Sequence, residues 1–248
     1  MKIAIIGYGK MGQAIERIAL QKGHTISAIV EDNSASSLAQ IQPGFANVAI
    51  EFTQPDAAPD NLIRLIENHI PVVCGTTGWW SHIPEITSLV EQHQGTLIYG
   101  GNFSIGMNLL FQMNQLLAQW MNHFEDYDPW VMEKHHRYKK DAPGGSALML
   151  ANQIVEHLDR KQRLAFSSEL EHRPPTPDEL SVGFIRTGDI TGIHEVGYTN
   201  NVETLSFHHQ AHTRDGFAQG ALTAAHWATQ RKGIWTFQDL LKESIQGK

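Results

Sequence analysis

The densest group of chemically active side chains lies in one short segment, which reads Glu133-Lys134-His135-His136-Arg137-Tyr138-Lys139-Lys140-Asp141-Ala142-Pro143-Gly144-Gly145-Ser146. Histidine titrates near neutral pH and lysine carries a mobile ammonium group, so the segment can transfer protons and hold anionic groups of a substrate. If a strand continues to His136, Glu133 and His135 share one face and His136 points to the other. The segment therefore predicts acid–base chemistry on an anionic small molecule.

The end of this segment, Gly144-Gly145-Ser146, precedes a helical pattern and offers backbone N–H groups and a hydroxyl to a carboxylate. Two other interpretations of the segment stay open on the residues alone, a metal site and a solvated basic loop. The histidines lack the H-x-x-x-H spacing of a helical zinc motif, and the single cysteine, Cys74, lies far away along the chain. We therefore predict no bound metal.

A second group is the glycine loop Gly7-Tyr8-Gly9-Lys10-Met11-Gly12, which directly follows the apolar run 2–6. A strand, such a loop and a helix form the phosphate-binding turn of dinucleotide-binding domains, and Glu31 at the end of the next strand can bind a ribose diol. Asp32 adds a second acid that repels a 2′-phosphate, and Lys10 offsets part of that repulsion. The pattern predicts NADH in preference to NADPH, and a glycine turn in an unrelated α/β domain is the alternative.

Two further polar turns follow strands, Gly75-Thr76-Thr77-Gly78 and Gly100-Gly101-Asn102-Phe103-Ser104. Ligands of open parallel sheets bind outside the carboxyl ends of the strands, so both turns are candidates to contact the nicotinamide ribose or carboxamide. Ordinary turn chemistry is the other interpretation of each.

The elements that must position these residues follow an alternating pattern in the first hundred residues. Short apolar runs alternate with segments of helical spacing, which predicts a doubly wound parallel sheet of about five strands, at residues 2–6, 26–30, 48–53, 72–74 and 97–99. After residue 104 the pattern changes to a long helix at 105–124, a strand at 130–136, a helix at 147–158 and several strands within 165–212. We expect a Rossmann-type α/β domain over residues 1–104 and an α+β domain with a mixed sheet over 105–214. The helices of residues 215–248 are expected to pack on the first domain.

Composition excludes several classes of function. The chain has 248 residues with 19 Lys and Arg against 26 Asp and Glu, a net charge of −7, which argues against nucleic acid or an anionic membrane as partner. No apolar run reaches the roughly 20 residues that span a bilayer. One cysteine fits a reducing cytosol, so we expect a cytoplasmic protein.

These residues together resemble the 4-hydroxy-tetrahydrodipicolinate (dihydrodipicolinate) reductases. The most specific match is Glu133-x-His135-His136-x-x-Lys139-x-Asp141-Ala142-Pro143, and the resemblance covers nearly the whole chain. The supporting segments are Phe52-Thr53-x-Pro55, Gly75-Thr76-Thr77-Gly78, Asn102-Phe103-Ser104-x-Gly106, Arg186-x-Gly188-Asp189-Ile190-x-Gly192 and Phe217-Ala218-x-Gly220-Ala221.

The resemblance implies a function in the diaminopimelate route to lysine, namely NAD(P)H-dependent reduction of a cyclic imine dicarboxylate with loss of water. It places His135 as the proton donor and acceptor, Lys139 as a second proton donor, and His136, Gly145 and Ser146 as substrate contacts. It also implies a Rossmann domain, a second α+β domain and a homotetramer.

Four features depart from the family pattern. The glycine loop is one residue shorter than in many members, Asp32 and Gln54 stand where basic residues are frequent, and Pro143-Gly144-Gly145-Ser146 replaces P-S-G-T. Two alternative functions remain at this point. One is another two-domain dehydrogenase, such as one acting on aspartate, and the other is a non-catalytic dinucleotide sensor.

Overall fold

The computed structural model describes residues 1–31, 38 and 41–245. The chain divides into two compact units, one of Met1–Ile105 with Arg214–Lys248 and one of Gly106–Thr213. Each unit has its own sheet and its own hydrophobic core. Among the described residues, no helix is both long and apolar enough to cross a membrane.

The first unit is built on a six-stranded sheet in which every neighbouring pair is parallel. Its strands, in the order β11-β5-β4-β3-β1-β2, are Gly233–Thr236, Thr96–Tyr99, Val72–Cys74, Val48–Glu51, Lys2–Ile6 and Thr25–Val30. Strand β2 is added on one side of β1, and strands β3, β4 and β5 are added on the other side. Open sheets of this type bind ligands in the crevice at the carboxyl end of the strand where this reversal occurs.

Helices cover both faces of this sheet. They are α1 (Lys10–Gln21), α2 (Ala58–Glu67), α3 (Ile83–Gln92), α6 (Asp215–Ala228) and α7 (Phe237–Ile245). Side chains of α1, α6 and α7 pack in the core on one face, and those of α2 and α3 pack in the core on the other. The inner strands β1, β3, β4 and β5 are nearly continuous apolar runs because both of their faces are buried.

The edge strand β11 corrects the prediction of about five strands. Residues 233–236 pair in parallel with β5, between the two helices that end the chain. All four residues are only half-buried, so their sequence lacks the long apolar run that marked the inner strands. A second difference is that β3 ends at Glu51, so Phe52 and Thr53 begin the following loop.

The second unit contains a mixed five-stranded sheet. Its strands, in the order β10-β9-β6-β8-β7, are Thr204–Ala211, Gly192–Thr199, Asp128–His135, Glu179–Arg186 and Arg163–Phe166. Strands β6, β7 and β8 run parallel, and β9 runs antiparallel to both β6 and β10. Helices α4 (Ile105–Met121) and α5 (Gly145–His157) supply most of the helical side chains in its core. These two sheets confirm the predicted fold class.

The two faces of the second sheet differ in what covers them. One face carries the core residues Val131, Leu180, Val182 and Val196. The opposite face carries alternate residues of the same strands, all less than fully buried: Trp130, Met132, Ile185 and Ile193. Glycines make room there for the large side chains, because a Cβ at Gly197 would lie 2.3 Å from the Trp130 ring and one at Gly183 would lie 2.6 Å from Met132 Cε.

Candidate active site

The candidate active site lies on the core-facing side of the second sheet, where the buried apolar residues of β6 and β9 are followed by the buried polar residues Glu133 and His194. Glu133 lies on β6 in register with Phe184 of β8 and with His194 of β9, and it is completely buried. His135 follows on the same face of β6, in register with Arg186. The strand ends at His135, one residue before the end assumed in the sequence prediction, so His136 lies in the turn that follows.

Both oxygens of the Glu133 carboxylate have close neighbours. Oε1 accepts hydrogen bonds from Arg186 Nη2 and from the Gly144 backbone N–H, the latter at 2.9 Å. Oε2 faces His135 Nδ1 at 3.3 Å and His194 Nε2 at 3.7 Å. A carboxylate surrounded by such groups on both oxygens is held in one orientation.

Two pKa values in this group are displaced. Burial raises the pKa of the Glu133 carboxyl, but the surrounding hydrogen-bond donors outweigh burial and lower that pKa to about 2. Burial, and after it the neighbouring His135, lower the pKa of His194 to about 4, while Glu133 acts in the opposite sense. At neutral pH the site therefore contains an ionised Glu133 and a neutral His194.

The loop after β6 brings an ammonium group to the same place. Lys139 Nζ lies 2.6 Å and 2.7 Å from the two carboxylate oxygens of Asp141. A Cβ on Gly144 would meet Lys139 Cε at 2.8 Å and Glu133 Oε2 at 3.0 Å. Glycine at position 144 therefore lets the lysine stem approach the buried carboxylate. Arg186 fastens the loop from the other side, because its Nη2 donates to the Asp141 carbonyl at 2.6 Å.

Helix α5 starts beside this group. Gly144 is its N-cap residue with extended backbone angles, and Gly145 and Ser146 begin the helix. The Gly144 N–H is already bound to Glu133, so the next N–H groups along the turn are the ones that can bind an anion. Gly145 is exposed, and apart from its own helix and chain neighbours no atom of the described residues lies within 4 Å of the position its Cβ would occupy.

The described residues contain one group with the composition of a metal site, formed by Glu133, His135 and His194. One ligand atom from each residue lies within 4.8 Å of the other two. The sequence prediction of no metal rested on local spacing, which does not detect a residue on another strand. The carboxylate of this group already has a cationic partner, Arg186.

The first unit contains the glycine loop at the carboxyl end of β1. Gly7 has a φ of +91°, and a Cβ there would lie 2.0 Å from the Phe52 carbonyl oxygen. A Cβ on Gly12 would lie 2.2 Å from the Gly7 carbonyl oxygen. Gly9 is exposed and is the N-cap of α1, and within the described chain no side chain caps this helix. The loop has the close packing and the uncapped helix start that a pyrophosphate requires.

The remaining side chains of the loop are arranged around this helix start. Tyr8 is tied down, because its hydroxyl donates to Glu16. Lys10 is exposed and Met11 is half-buried. Glu31 is exposed after β2, and Asp32 lies outside the described residues.

The other two predicted turns lie at the same edge of the first sheet, after β4 and β5. A Cβ on Gly75 would lie 2.1 Å from the Phe52 ring. A Cβ on Gly101 would lie 3.6 Å from the Thr77 methyl group, so the two turns are neighbours. Gly101 and Thr77 are exposed, and Gly100 is half-buried.

Three residues of these turns, Thr76, Asn102 and Phe103, direct their side chains to hydrogen bonds or packing within the protein. Thr76 is buried and its hydroxyl accepts a hydrogen bond from the Thr53 backbone N–H at 2.7 Å. Asn102 Oδ1 accepts from the Ser104 N–H at 2.9 Å, and Phe103 lies in the core. Their side chains contribute to the shape of the turns.

Comparison with known proteins decides the family. Two family models match the chain, "Dihydrodipicolinate reductase, N-terminus" over residues 1–103 and "Dihydrodipicolinate reductase, C-terminus" over residues 106–241. The chain belongs to the dihydrodipicolinate reductase family. This membership confirms the resemblance found in the sequence.

Named relatives agree with that membership. The 4-hydroxy-tetrahydrodipicolinate reductase of Christiangramia forsetii is 35% identical and is covered over 98% of both chains. The enzyme of the same name from Neisseria meningitidis serogroup C is 29% identical, with 97% of each chain covered. A dipicolinate-bound dihydrodipicolinate reductase from Paenisporosarcina sp. TG-14 has the same fold, with a TM-score of 0.76, 20% identity, and coverage of 96% of this chain and 98% of that one. The chain is thus an oxidoreductase of a family that uses a nicotinamide dinucleotide, and neither alternative function is favoured.

Structure adds buried polar residues that the sequence did not single out. Arg186 was part of a matching segment, but only the sheet register shows that it pairs with Glu133. His194 had no signal at all, because its partner lies on an antiparallel neighbour strand. Glu51, at the end of β3, is a buried carboxylate that accepts from Thr53 Oγ1 and from Cys74 Sγ, the latter at 3.0 Å.

Proposed function

We propose that this family member reduces 4-hydroxy-tetrahydrodipicolinate to tetrahydrodipicolinate with a reduced nicotinamide dinucleotide, releasing water, in lysine biosynthesis. The observation that carries the proposal is the group of Glu133, His135 and Lys139 beside the exposed start of α5. It joins a proton-exchanging imidazole and an ammonium group to an anion-binding turn, which is what a reaction on a ring with two carboxylates requires.

The cofactor is assigned to the first unit. The backbone of Gly7–Gly12 would hold the pyrophosphate and Glu31 would bind the adenosine ribose, while the turns at Gly75–Thr77 and Gly100–Phe103 would line the nicotinamide end. When bound, the reduced nicotinamide supplies the hydride. The close packing around Gly7 and Gly12 and the uncapped start of α1 support this assignment.

NADH is proposed as the better cofactor. Glu31 follows β2, where this fold binds the adenosine ribose, and Asp32 is the next residue in the sequence. Two consecutive acids near the 2′-phosphate would disfavour the phosphorylated cofactor. Lys10 is exposed at the start of α1, and its positive charge would attract the 2′-phosphate of NADPH. It therefore limits the size of the preference for NADH over NADPH.

His135 and Lys139 are assigned to the proton steps. Loss of water needs a proton on the departing hydroxyl, and each hydride added to the ring must be matched by one proton. His135 carries an imidazole, a group that can both give and take a proton, and its Nδ1 lies 3.3 Å from the Glu133 carboxylate. Lys139 provides the second donor, and the adjacent Asp141 orients its ammonium group.

One substrate carboxylate is assigned to the start of α5. The N–H groups of Gly145 and Ser146 and the Ser146 hydroxyl offer donors at the positive end of the helix. His136 lies in the turn beyond β6 and is proposed to contact a carboxylate as well. The Paenisporosarcina protein was solved with dipicolinate, a planar ring with two carboxylates, and we expect that compound to compete with substrate here.

A cytoplasmic homotetramer is the proposed assembly. Closed tetramers of dihedral symmetry use more than one two-fold contact, each made by a surface that matches itself. The uncovered side of the second sheet presents Trp130, Met132 and Ile185. Helix α4 has no charged residue and presents an exposed apolar row of Leu109, Met113, Leu116 and Trp120. Either surface is suited to a second copy, because large exposed apolar patches mark contact sites.

The experiment that tests the function is a coupled assay. Pyruvate and aspartate semialdehyde generate the unstable substrate through its synthase, and NADH absorbance follows the reduction. We expect turnover that depends on both precursors and none with L-aspartate as substrate. Binding of NADH without turnover of the cyclic substrate would instead favour a dinucleotide sensor, and turnover of L-aspartate would favour an aspartate dehydrogenase.

A further inference from the structure

We propose that His194 and Gly192 are positioning residues for His135, and that they leave its Nε2 as the atom that exchanges the proton. This inference rests on the proposed role of His135 and adds two residues and one atom to it. Both residues lie at the start of β9, on the strand next to β6.

The tautomer of His194 follows from the neighbours of its two ring nitrogens. A neutral imidazole has one N–H group, on either nitrogen. Its Nε2 lies 3.7 Å from Glu133 Oε2, whereas its Nδ1 is buried without a hydrogen-bond partner among the described residues. The proton of His194 therefore belongs on Nε2, directed at the carboxylate.

The orientation of Glu133 follows from the groups that hold its two oxygens. Arg186 and the Gly144 N–H occupy Oε1, so the only oxygen left for the two histidines is Oε2. His194 approaches this oxygen from β9 and His135 from β6. The same carboxylate oxygen therefore has one nitrogen of each histidine within 4 Å.

The ring of His135 is held by the same neighbours. Its centroid lies 5.1 Å from that of His194, with the planes at 73°, so the two rings pack edge to face. His135 Nδ1 faces Glu133, and the other ring nitrogen, Nε2, lies beside Gly192. A Cβ at position 192 would lie only 3.1 Å from His135 Nε2. Glycine therefore keeps the volume beside Nε2 clear for a reacting group.

Charge explains why histidine suits position 194. The titratable groups around it are Glu133 and His135 across the sheet, His209 in register on β10, and Lys139. A neutral donor at this position orients Glu133 without adding positive charge, and so leaves the negative charge of the carboxylate facing His135. A permanently charged side chain would compete for the same carboxylate.

The test compares His194→Leu, which removes the donor, with His194→Gln, which retains an N–H donor. We expect His194→Leu to lower kcat at least tenfold with a nearly unchanged KM, and to displace the pKa seen in the pH profile of kcat/KM. His194→Gln should recover part of the loss. The matched control is His172→Leu, since His172 is exposed in a loop of the second unit, and it should behave as wild type.

A second pair of variants tests the space beside Nε2. Gly192→Ala should lower kcat at least tenfold while NADH affinity stays normal, and Gly216→Ala, where no atom lies within 4 Å of the new Cβ, should have no effect. Wild-type kcat and pH profile in His194→Leu, or full activity in Gly192→Ala, would overturn the proposal.

Two further measurements are needed. Wild-type activity on the cyclic substrate tests the proposed function itself, and the effect of EDTA tests whether His194 is a metal ligand instead of a positioning residue. If wild-type protein fails to reduce the cyclic substrate, the proposed function fails, whatever the variants do. Assays with and without EDTA test whether Glu133, His135 and His194 hold a required metal. We expect equal rates, and a loss of activity restored by added Zn²⁺ would overturn the positioning role.

Discussion

At the residue scale, the central feature is a carboxylate that organises two histidines and an arginine. Glu133 is completely buried and has a close neighbour at each oxygen. Removing one partner of such a group leaves an uncompensated buried charge, so its members are expected to be sensitive to substitution.

The proton steps give the first prediction. His135→Gln and Lys139→Ala should each lower kcat by roughly 10²-fold or more, the scale of general acid–base catalysis, while NADH still binds normally. Steady-state kinetics and fluorescence titration with NADH measure the two effects. Wild-type turnover in either variant would remove that residue from the mechanism, and parallel loss of NADH binding would make it structural.

Cofactor choice gives the second prediction. Wild-type protein should have a higher kcat/KM with NADH than with NADPH, and Asp32→Arg should shift the ratio toward NADPH by removing like-charge repulsion. Asp56→Arg makes the same charge change at an exposed site outside the glycine loop and should leave the ratio unaltered. A clear NADPH preference in the wild type would show that Lys10 or another base dominates the local charge.

The buried histidine predicts a dependence of stability on pH. Its pKa falls from 6.5 to about 4 on folding, so the unfolded chain binds a proton more readily than the folded one between these values. Stability from this group is complete above pH 6.5 and is lost as the pH falls toward 4, by about 3 kcal/mol in total. Glu133 adds a loss at lower pH, between its ordinary value of 4.5 and about 2.

Urea unfolding at pH 7 and pH 4.5 checks this dependence. The free energy of unfolding should fall by less in His194→Gln than in the wild type, by roughly 2 kcal/mol, because the titrating group is gone. His172→Gln serves as the exposed control and should keep the wild-type difference. Equal differences in all three proteins would show that His194 is not held neutral by burial.

At the element scale, variants at the start of α5 can show whether a substrate carboxylate is bound by backbone N–H groups or by a side chain. Gly145 is the first residue of the helix and follows an N-cap with extended angles, so proline fits there and removes one N–H group without breaking the helix. Ser146→Ala removes only a hydroxyl.

The two variants therefore predict different losses of dicarboxylate binding. Gly145→Pro should raise the inhibition constant of pyridine-2,6-dicarboxylate by roughly tenfold or more, since a lost hydrogen bond to a charged group costs about 1.5–3 kcal/mol. Ser146→Ala should raise it by less. Unchanged inhibition in both variants would place the carboxylate elsewhere.

Elements also show how far the sequence can predict. The first sheet was predictable because its inner strands are buried apolar runs, and three of them, β1, β4 and β5, end in a glycine turn. The edge strand β11 was not, since it is short and half-buried between two helices. The acid–base segment was recognisable from its local composition, whereas His194 and Arg186 reach Glu133 only through the pairing of β6 with β8 and β9.

Burial was the other property that sequence could not supply. Thr76 and Phe103 stand in turns predicted to contact the cofactor, yet one hydroxyl is bonded to the Thr53 N–H and the other side chain lies in the core. A sequence motif can indicate that a turn is a candidate to contact a ligand. The packing of the folded chain then decides which side chains of that turn are exposed and could contact the ligand.

At the scale of the whole molecule, the uncovered side of the second sheet predicts self-association. Ile185→Lys should reduce the proposed tetramer of 27.7 kDa chains to smaller species, because a buried unpaired ammonium in a contact is costly. Val202→Lys is the control, since Val202 is exposed in the turn between β9 and β10. Light scattering after size exclusion gives the masses, and an unchanged tetramer in Ile185→Lys would mean that the sheet face is not a contact.

The claim that unites these scales is that a hydride passes from the nicotinamide to the ring of a cyclic dicarboxylate held by the second unit. Mass spectrometry of the product made with NADH deuterated at both C4 positions tests it most directly. We predict a product one mass unit heavier than that made with ordinary NADH, formed by wild-type protein and strongly slowed in His135→Gln. A product without deuterium, or no reduced product at all, would contradict this claim.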